Sequence, residues 1–411
     1  MSETGNLPGN PRTTKPPWAV LGMLAVIGLL TLWPNPSQAE LSAQTPFFCF
    51  PCGPSGTSDL IRNVLFFIPL GITLGVRGIS PGSALGISLA VTGTVEFLQY
   101  LIVPGRDAAM ADIVANTVGG GVGCLMGRHG AALLFMRPRL AAYVTVVWAT
   151  LGVLGIGLMG WSLPSSFPRG TWYGQWAPFG KEPEWFTGDV IEVTLGHRKL
   201  PHWRLADSDT RRRELAGDTV RLGARVVSML PPPTPLNIVA LADSSKKLIA
   251  LGQGDRDLGL SLRTKAALIA LHTPYFVRRN VMPPLAGDTL VVEGTYWRGY
   301  ARVNGMPLEV SALDGWSLLI PATVGSGIAI LVSAAWLIAL FAPIGWYGGQ
   351  VPSSAWAAAP VLVLLADAMM MARLGGTPYP ASWEVAVATL AALVGRVGVA
   401  AAEQLVQGET G

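Results

Sequence analysis

The chain has 411 residues, of which half are hydrophobic and only 13% charged, and its net charge is +4. An ordinary soluble domain carries about 25% charged residues, so an apolar excess gathered in long runs points to a polytopic membrane protein with a more polar insert. The basic residues are spread along the chain, which excludes a nucleic-acid footprint, and three cysteines are too few for a disulfide framework.

The first apolar run covers 18–33. Arg12 and Lys15 precede it and Ser37-Gln38-Ala39 follows, as in a cleavable signal peptide. The flanking Trp18 and Trp33 favour a retained, interface-anchored span. Runs close to the ~20 residues that a bilayer core requires follow at 60–76, 83–103, 112–127 and 140–161, and again at 317–341, 355–372 and 383–401. With the first run they make about eight spans. Arg12, Lys15, Arg77, Arg128, His129, Arg137 and Arg139 all fall on one side if the N-terminus is cytoplasmic; Arg373 is the exception. By the positive-inside rule the 162–315 insert then lies outside the cytoplasm and the C-terminus inside.

The insert changes character. Charges cluster at Arg211-Arg212-Arg213-Glu214, and Leu258, Leu260 and Leu262 alternate with Gly259, Ser261 and Arg263. Further period-two segments are expected at 190–195, 220–226, 237–242, 247–251, 289–296, 300–303 and 307–310, with Asn304-Gly305 as a two-residue hairpin turn. Many short strands with turn residues between them predict an antiparallel sandwich. The expected organisation is a membrane domain at 1–161, an extracytoplasmic all-β sandwich at 162–315 and C-terminal membrane helices at 316–411.

Strong polar groups recur near the ends of the early spans: Asp59, Arg62 and Asn63, then Glu96 and Gln99, then Arg106, Asp107, Asp112 and Asn116. Each charge placed in hydrocarbon costs about 2.5–3.5 kcal/mol on insertion scales, so such groups are rare and are paired or functional. Spacings of three or four put Glu96 with Gln99, Asp112 with Asn116 and Asp59 with Asn63 on shared helix faces. In the topology above, the whole set meets at the outer headgroup level. Two readings follow: a network that pins three helices, or a pocket for a polar headgroup.

The order Asp59-x-x-Arg62-Asn63, Pro69-Leu70-Gly71, Glu96-x-x-Gln99, Arg106 and Asp112-x-x-x-Asn116-Thr117-x-Gly119 resembles the VanZ-like family over about 18–127. The resemblance implies a bacterial cell-envelope protein of the cytoplasmic (inner) membrane. The founding member is linked to lipoglycopeptide (teicoplanin) resistance. The candidate polar site carried over is Asp59, Arg62, Asn63, Glu96, Gln99, Arg106, Asp112 and Asn116. The insert, over about 187–310, resembles a laminin-G-type or concanavalin A-like jelly-roll, a fold often used to bind glycans or proteins. The Glu-x-Asp-x-x-Glu set of its glucan-hydrolysing relatives does not occur.

Other motifs weigh less. Gly119-Gly120-Gly121-Val122-Gly123 lacks the strand and the lysine of a phosphate loop and suits close helix packing. Cys49-x-x-Cys52 is readable as a redox pair, half a zinc site or a small disulfide; an oxidising outer compartment favours a structural disulfide or idle thiols. Asp243, Asp255 and Asp257 fit turns better than a calcium site. Tyr296, Trp297 and Tyr300 serve either as sugar platforms or as sheet residues. Arg396 is placed to snorkel or to pair with Asp367, with Glu384 nearby on the same helix. No cofactor and no metal is expected. The partners expected are membrane lipid and, through the sandwich, glycan or envelope protein. The leading function is non-enzymatic recognition of a polar lipid, envelope precursor or glycan. The alternatives are an enzyme acting on a polyprenyl-phosphate type substrate, with Glu96 as base, and a scaffold that displays the sandwich.

Overall fold

The computed structural model describes residues 18–34, 48, 50, 53–103, 108–176, 185–216, 219–232, 235–243 and 246–408. The chain divides into two compact units, one made of Met1–Cys52 and Asp59–Leu134 and the other of Gly53–Ser58 and Phe135–Gly411.

The first unit is helical. It contains α1 (Trp18–Thr31), most of α2 (Gly56–Val76), α3 (Pro81–Ile102), α4 (Met110–Arg128) and the short α5 (Gly130–Leu134). Proline and capping chemistry set the ends of α3. Pro81 occupies its first turn, where a missing N–H costs nothing, and the Ser80 hydroxyl accepts from Ser83 N at 3.1 Å. At the other end Val103 is extended, as the residue before a proline tends to be. Phe67, Leu70, Leu74, Ala84, Val95, Ile27 and Cys124 form the unit's apolar core.

The close approach of α2 and α4 is written in glycine. A Cβ at Gly71 or Gly75 would run into the carbonyls of Gly120 or Cys124. One at Gly119, Gly123 or Gly127 would run into those of Val64, Ile68 or Ile72. Glycines four apart on both helices therefore bring backbone against backbone, the device by which membrane helices associate without a hydrophobic driving force.

The second unit combines a helix bundle with a β-sandwich. Its helices are α6 (Pro138–Ser162), the surface helix α7 (Ser208–Leu215), α8 (Gly327–Gly349), α9 (Ala355–Gly375) and α10 (Ser382–Gly408). Ile156, Leu337, Phe341, Ile344, Leu364, Ala388 and Ala392 are central to the bundle. Gly345 sits on the Ala392 carbonyl and Gly395 on that of Ala342. The strands are β1 (Trp172–Trp176), β2 (Val190–Leu195), β3 (Arg198–Lys199), β4 (Trp203–Leu205), β5 (Val220–Val227), β6 (Leu236–Ala242), β7 (Lys247–Gly254), β8 (Asp257–Leu262), β9 (Tyr275–Arg278), β10 (Thr289–Trp297), β11 (Tyr300–Val303), β12 (Met306–Glu309) and β13 (Thr323–Val324).

One sheet runs β13-β9-β8-β7-β6-β1-β4 and the other β12-β11-β10-β5-β2-β3. Among the described residues the named strands pair antiparallel except β13 with β9, and an isolated bridge from Trp185 to Asn237 of β6 is also parallel. The expected strand segments all form. Asn304 and Gly305 both take positive φ (45° and 80°) between the paired Val303 and Met306, as a type I′ hairpin requires. The two inner faces meet where Gly294 makes room for Leu251 and Leu260, and where Phe276 packs on Tyr296 with ring centroids 5.7 Å apart.

Among the described residues six helices are long and apolar enough to cross a membrane: α2, α3, α6, α8, α9 and the Ser382–Ala402 part of α10. The 14-residue α1 is shorter, and α4 is not among the six. The chain thus joins membrane helices to a separate β-rich region. The helix expected at 317–341 begins instead at Gly327. Residues Gly315–Leu318 form a 3₁₀ turn and Thr323–Val324 add a strand, because Pro321 interrupts the run and Ser326 caps the helix by accepting from Ala329 N at 3.2 Å.

The glycine contacts make a direct prediction. Gly71→Ala and Gly123→Ala should each destabilise the protein by about 1–3 kcal/mol, the usual cost of overpacking. Gly86→Ala, where an added Cβ would meet nothing within 4 Å, should leave the midpoint unchanged or raise it. Thermal unfolding in detergent micelles reads all three.

Candidate functional site

Three sequence segments supply the polar set in the first unit, and the structure links them pairwise. Asn63 on α2 donates through Nδ2 to Asp112 Oδ1 on α4 at 2.6 Å. Glu96 on α3 accepts through Oε2 from Ala109 N, at the start of α4, at 2.9 Å. Asp112 lies close enough to Glu96 for the two carboxyls to interact electrostatically. Asn63, Glu96 and Asp112 therefore come together where α2, α3 and α4 adjoin. Asp59 and Arg62 form an ion pair with each other on α2, their side chains 36% and 38% exposed.

The remaining members point elsewhere. Gln99 turns toward α1 and donates to Thr31 O at 2.9 Å, satisfying a helix-terminal carbonyl. Asn116, one turn below Asp112, donates to Thr92 Oγ1 at 2.9 Å. Arg106 lies outside the described residues, as do Asp107, Cys49 and Cys52.

Two residues that the motif reading missed complete the seam. Ser88, Thr92 and Glu96 recur every four residues along α3 and all three are buried. That i, i+4, i+8 spacing of polar residues in an apolar helix was the available signal. Ser88 sits directly against Gly120 of α4. Its hydroxyl has no hydrogen-bond partner among the described residues, nor has Asn116 Oδ1, although both side chains are at least nine-tenths buried. Flipping the Asn116 amide would satisfy its oxygen from Thr92 and orphan its nitrogen instead, so one end stays open in either orientation. Arg62 Nε is also buried and unpartnered. A buried polar atom left without a partner costs about 1–3 kcal/mol, and in a membrane helix nothing in the hydrocarbon offers relief. The seam thus holds unused donors and acceptors side by side: the Ser88 hydroxyl, one end of the Asn116 amide and Arg62 Nε. Its chemical capacity is to meet a polar group that both donates and accepts, such as a hydroxyl, with the Arg62 guanidinium at its exposed end.

Elsewhere the singled-out residues take structural places. Asp257 accepts from Asn280 N at 2.9 Å and Asp243 from Lys246 N at 2.7 Å, both as turn residues. No group of three or more potential metal ligands occurs among the described residues. Tyr296 is buried and its hydroxyl donates to Leu163 O at 2.6 Å; burial pushes its phenol up, so it stays a donor. Trp297 stacks on Tyr300 at 5.9 Å and 19°, with Arg298 over its ring. Asp367 is buried, while Arg396 is exposed on α10, and no ion pair joins them among the described residues. The two side chains occupy opposite environments of the bundle, which a helical offset between separate spans does not reveal. Glu384 turns away from both, toward Ser311.

Fold and site together define a membrane protein of several apolar helices that carries a β-sandwich and a polar seam within its N-terminal helices. The VanZ/LLP1 family model matches residues 19–136, the stretch that contains α1 to α4 and every described member of the seam, so this part of the chain is a VanZ-like domain. No curated protein and no solved structure matches the chain.

The link between α2 and α4 can be measured. A double-mutant cycle of Asn63→Ala and Asp112→Ala should give a coupling energy of about 0.6 kcal/mol, the average for hydrogen bonds between membrane helices, and at most about 1.7 kcal/mol. Additive effects of the two substitutions on unfolding would show that the bond contributes nothing.

Proposed function

We propose that this is a multi-pass cell-envelope protein of the bacterial cytoplasmic membrane, and that its VanZ-like domain holds the polar headgroup of a lipid or lipid-linked envelope precursor. The observation that carries this reading is the pair of buried, unpartnered polar atoms, Ser88 Oγ and one end of the Asn116 amide, beside the Asn63–Asp112 and Glu96 links. A seam needed only for packing gains nothing from orphaned polar atoms, whereas a headgroup with hydroxyl groups, which both donate and accept, would satisfy them. The sandwich, of the jelly-roll kind, acts outside the cytoplasm as a module for glycan or envelope protein. The basic residues at Arg77, Arg128, Arg137 and Arg139 support that orientation, with α1 and α4 counted among the spans. An altered response to teicoplanin is the phenotype that the family likeness suggests.

Detergent-purified protein should retain added phosphatidylglycerol, whose glycerol carries hydroxyl groups, in native mass spectra. Asn116→Ala and Glu96→Gln should lower retention by roughly tenfold, the effect of about 1.4 kcal/mol of lost binding, while circular dichroism stays unchanged. Equal retention by all three proteins rejects the headgroup site. Orientation has its own test. A single thiol at Arg204→Cys, with the native cysteines replaced by serine, should react in intact spheroplasts with a reagent that does not cross membranes. Labelling only after lysis would place the sandwich inside and overturn the topology.

A further inference from the structure

The second unit contains a cavity of about 450 Å³ between the sandwich and the first turns of α8 and α10. Among the described residues its walls carry three carboxyl side chains, Glu309, Asp314 and Glu384, and three large aromatic ones, Trp316, Tyr379 and Trp383, but no lysine, arginine or histidine. Tyr379 is 55% exposed and Trp383 38%, so they frame the mouth. Asp314 and Glu384 are more than nine-tenths buried. Asp314 Oδ1 accepts from Trp316 Nε1 at 3.0 Å and Ser333 Oγ at 2.9 Å, and its Oδ2 accepts from Ser311 N at 2.9 Å. Glu384 Oε2 accepts from Ala381 N at 2.7 Å and from Ser311 Oγ at 3.2 Å.

Every one of these donors is neutral, and none of the ion pairs among the described residues involves the three acids; Asp314 and Glu384 also hydrogen-bond to each other, so they share a proton and the pair keeps a single negative charge. Buried negative charge in such a place calls for a positive partner. Helix capping explains part of the arrangement, since Glu384 reaches back to Ala381 N at the start of α10 as in a capping box. Capping does not require a second buried acid alongside, an aromatic frame, or an open cavity of this size. Aromatic faces next to carboxylates are what attract an organic cation, by charge and by the ring quadrupole together.

We propose that this cavity binds a primary alkylammonium group, with Asp314 and Glu384 facing the charge and Trp316, Tyr379 and Trp383 facing the carbon chain. The shared chemistry is the ammonium, supplied either by an aminolipid headgroup or by a soluble amine. The site uses no residue of the α2–α4 seam, so it stands or falls independently of the headgroup reading.

The test uses the full chain in phosphatidylcholine nanodiscs, with hexylammonium chloride and its neutral counterpart 1-hexanol as probes. Hexylammonium is expected to raise the unfolding midpoint and shift tryptophan fluorescence in a saturable way, and hexanol to do neither. Asp314→Asn and Glu384→Gln should weaken hexylammonium at least about tenfold, as loss of a buried charge partner does. Should either variant fail to fold, Glu309→Gln and Tyr379→Ala at the mouth are expected to weaken it several-fold. In nanodiscs containing phosphatidylethanolamine, loss of the hexylammonium response assigns the site to the lipid headgroup, and an undiminished response assigns it to a soluble amine. An equal response to hexanol, or full hexylammonium affinity in every folded variant, overturns the proposal.

Discussion

Backbone contact between α2 and α4 is the constraint from which the first unit follows. Gly71 and Gly75 lie on the carbonyls of one helix, and Gly119, Gly123 and Gly127 on those of the other. At that separation a short side chain suffices to bridge them, so Asn63 reaches Asp112 directly. A larger residue at any of these glycines would meet a backbone carbonyl of the facing helix and push the two helices apart. The polar seam is therefore conditional on the apolar packing below it, and the two features belong to one design in which small residues permit the approach that polar residues then specify.

The N-terminal seam was readable because its chemistry is local. Residues three or four apart on one helix share a face whatever the tertiary structure, so Glu96 with Gln99 and Asp112 with Asn116 could be paired from spacing alone. What spacing cannot say is which neighbour each face meets. Gln99 turned to Thr31 of α1, and Asn116 to Thr92. Thr92 and Ser88 escaped notice because threonine and serine are common in membrane helices, where they usually return their hydroxyl to the preceding turn. The strand β1 was also missed. Its sequence, Trp-Tyr-Gly-Gln-Trp, has no clean alternation, and it is held as an interior strand between β6 and β4 by partners distant in the chain.

In the second unit the long-range order rests on a few directed contacts from one hairpin. Tyr296 donates to Leu163 O just after α6, Arg298 to Gly375 O at the end of α9 at 2.5 Å, and Tyr300 to Thr377 O at 3.3 Å. Each satisfies a carbonyl that its own chain leaves open. The β10–β11 hairpin thereby holds the ends of two helices, and Arg298 takes a positive φ of 45° to do so. Strain of that kind persists only where the surroundings over-determine it, and three anchoring bonds within a few residues supply that determination. The same hairpin continues through β12 to Ser311 and Asp314, so the position of the acid pair is inherited from the clamp.

The two polar sites differ in what they lack, and the difference decides the ligand chemistry of each. In the α2–α4 seam polar atoms go unpartnered, namely Ser88 Oγ, one end of the Asn116 amide and Arg62 Nε; that deficit is one of hydrogen bonds, and a group that both donates and accepts makes it good. Around Asp314 and Glu384 the hydrogen bonds are largely supplied, five of them from neutral donors. What remains uncompensated there is the single negative charge of a pair that shares one proton, and no further neutral donor removes it. A hydroxyl that would suit the first site adds little to the second, and a cation that suits the second must, in the first, compete with an arginine already in place at Arg62. The same residue types, carboxyl and small hydroxyl, thus specify different partners according to whether folding has left them short of hydrogen-bond partners or short of positive charge.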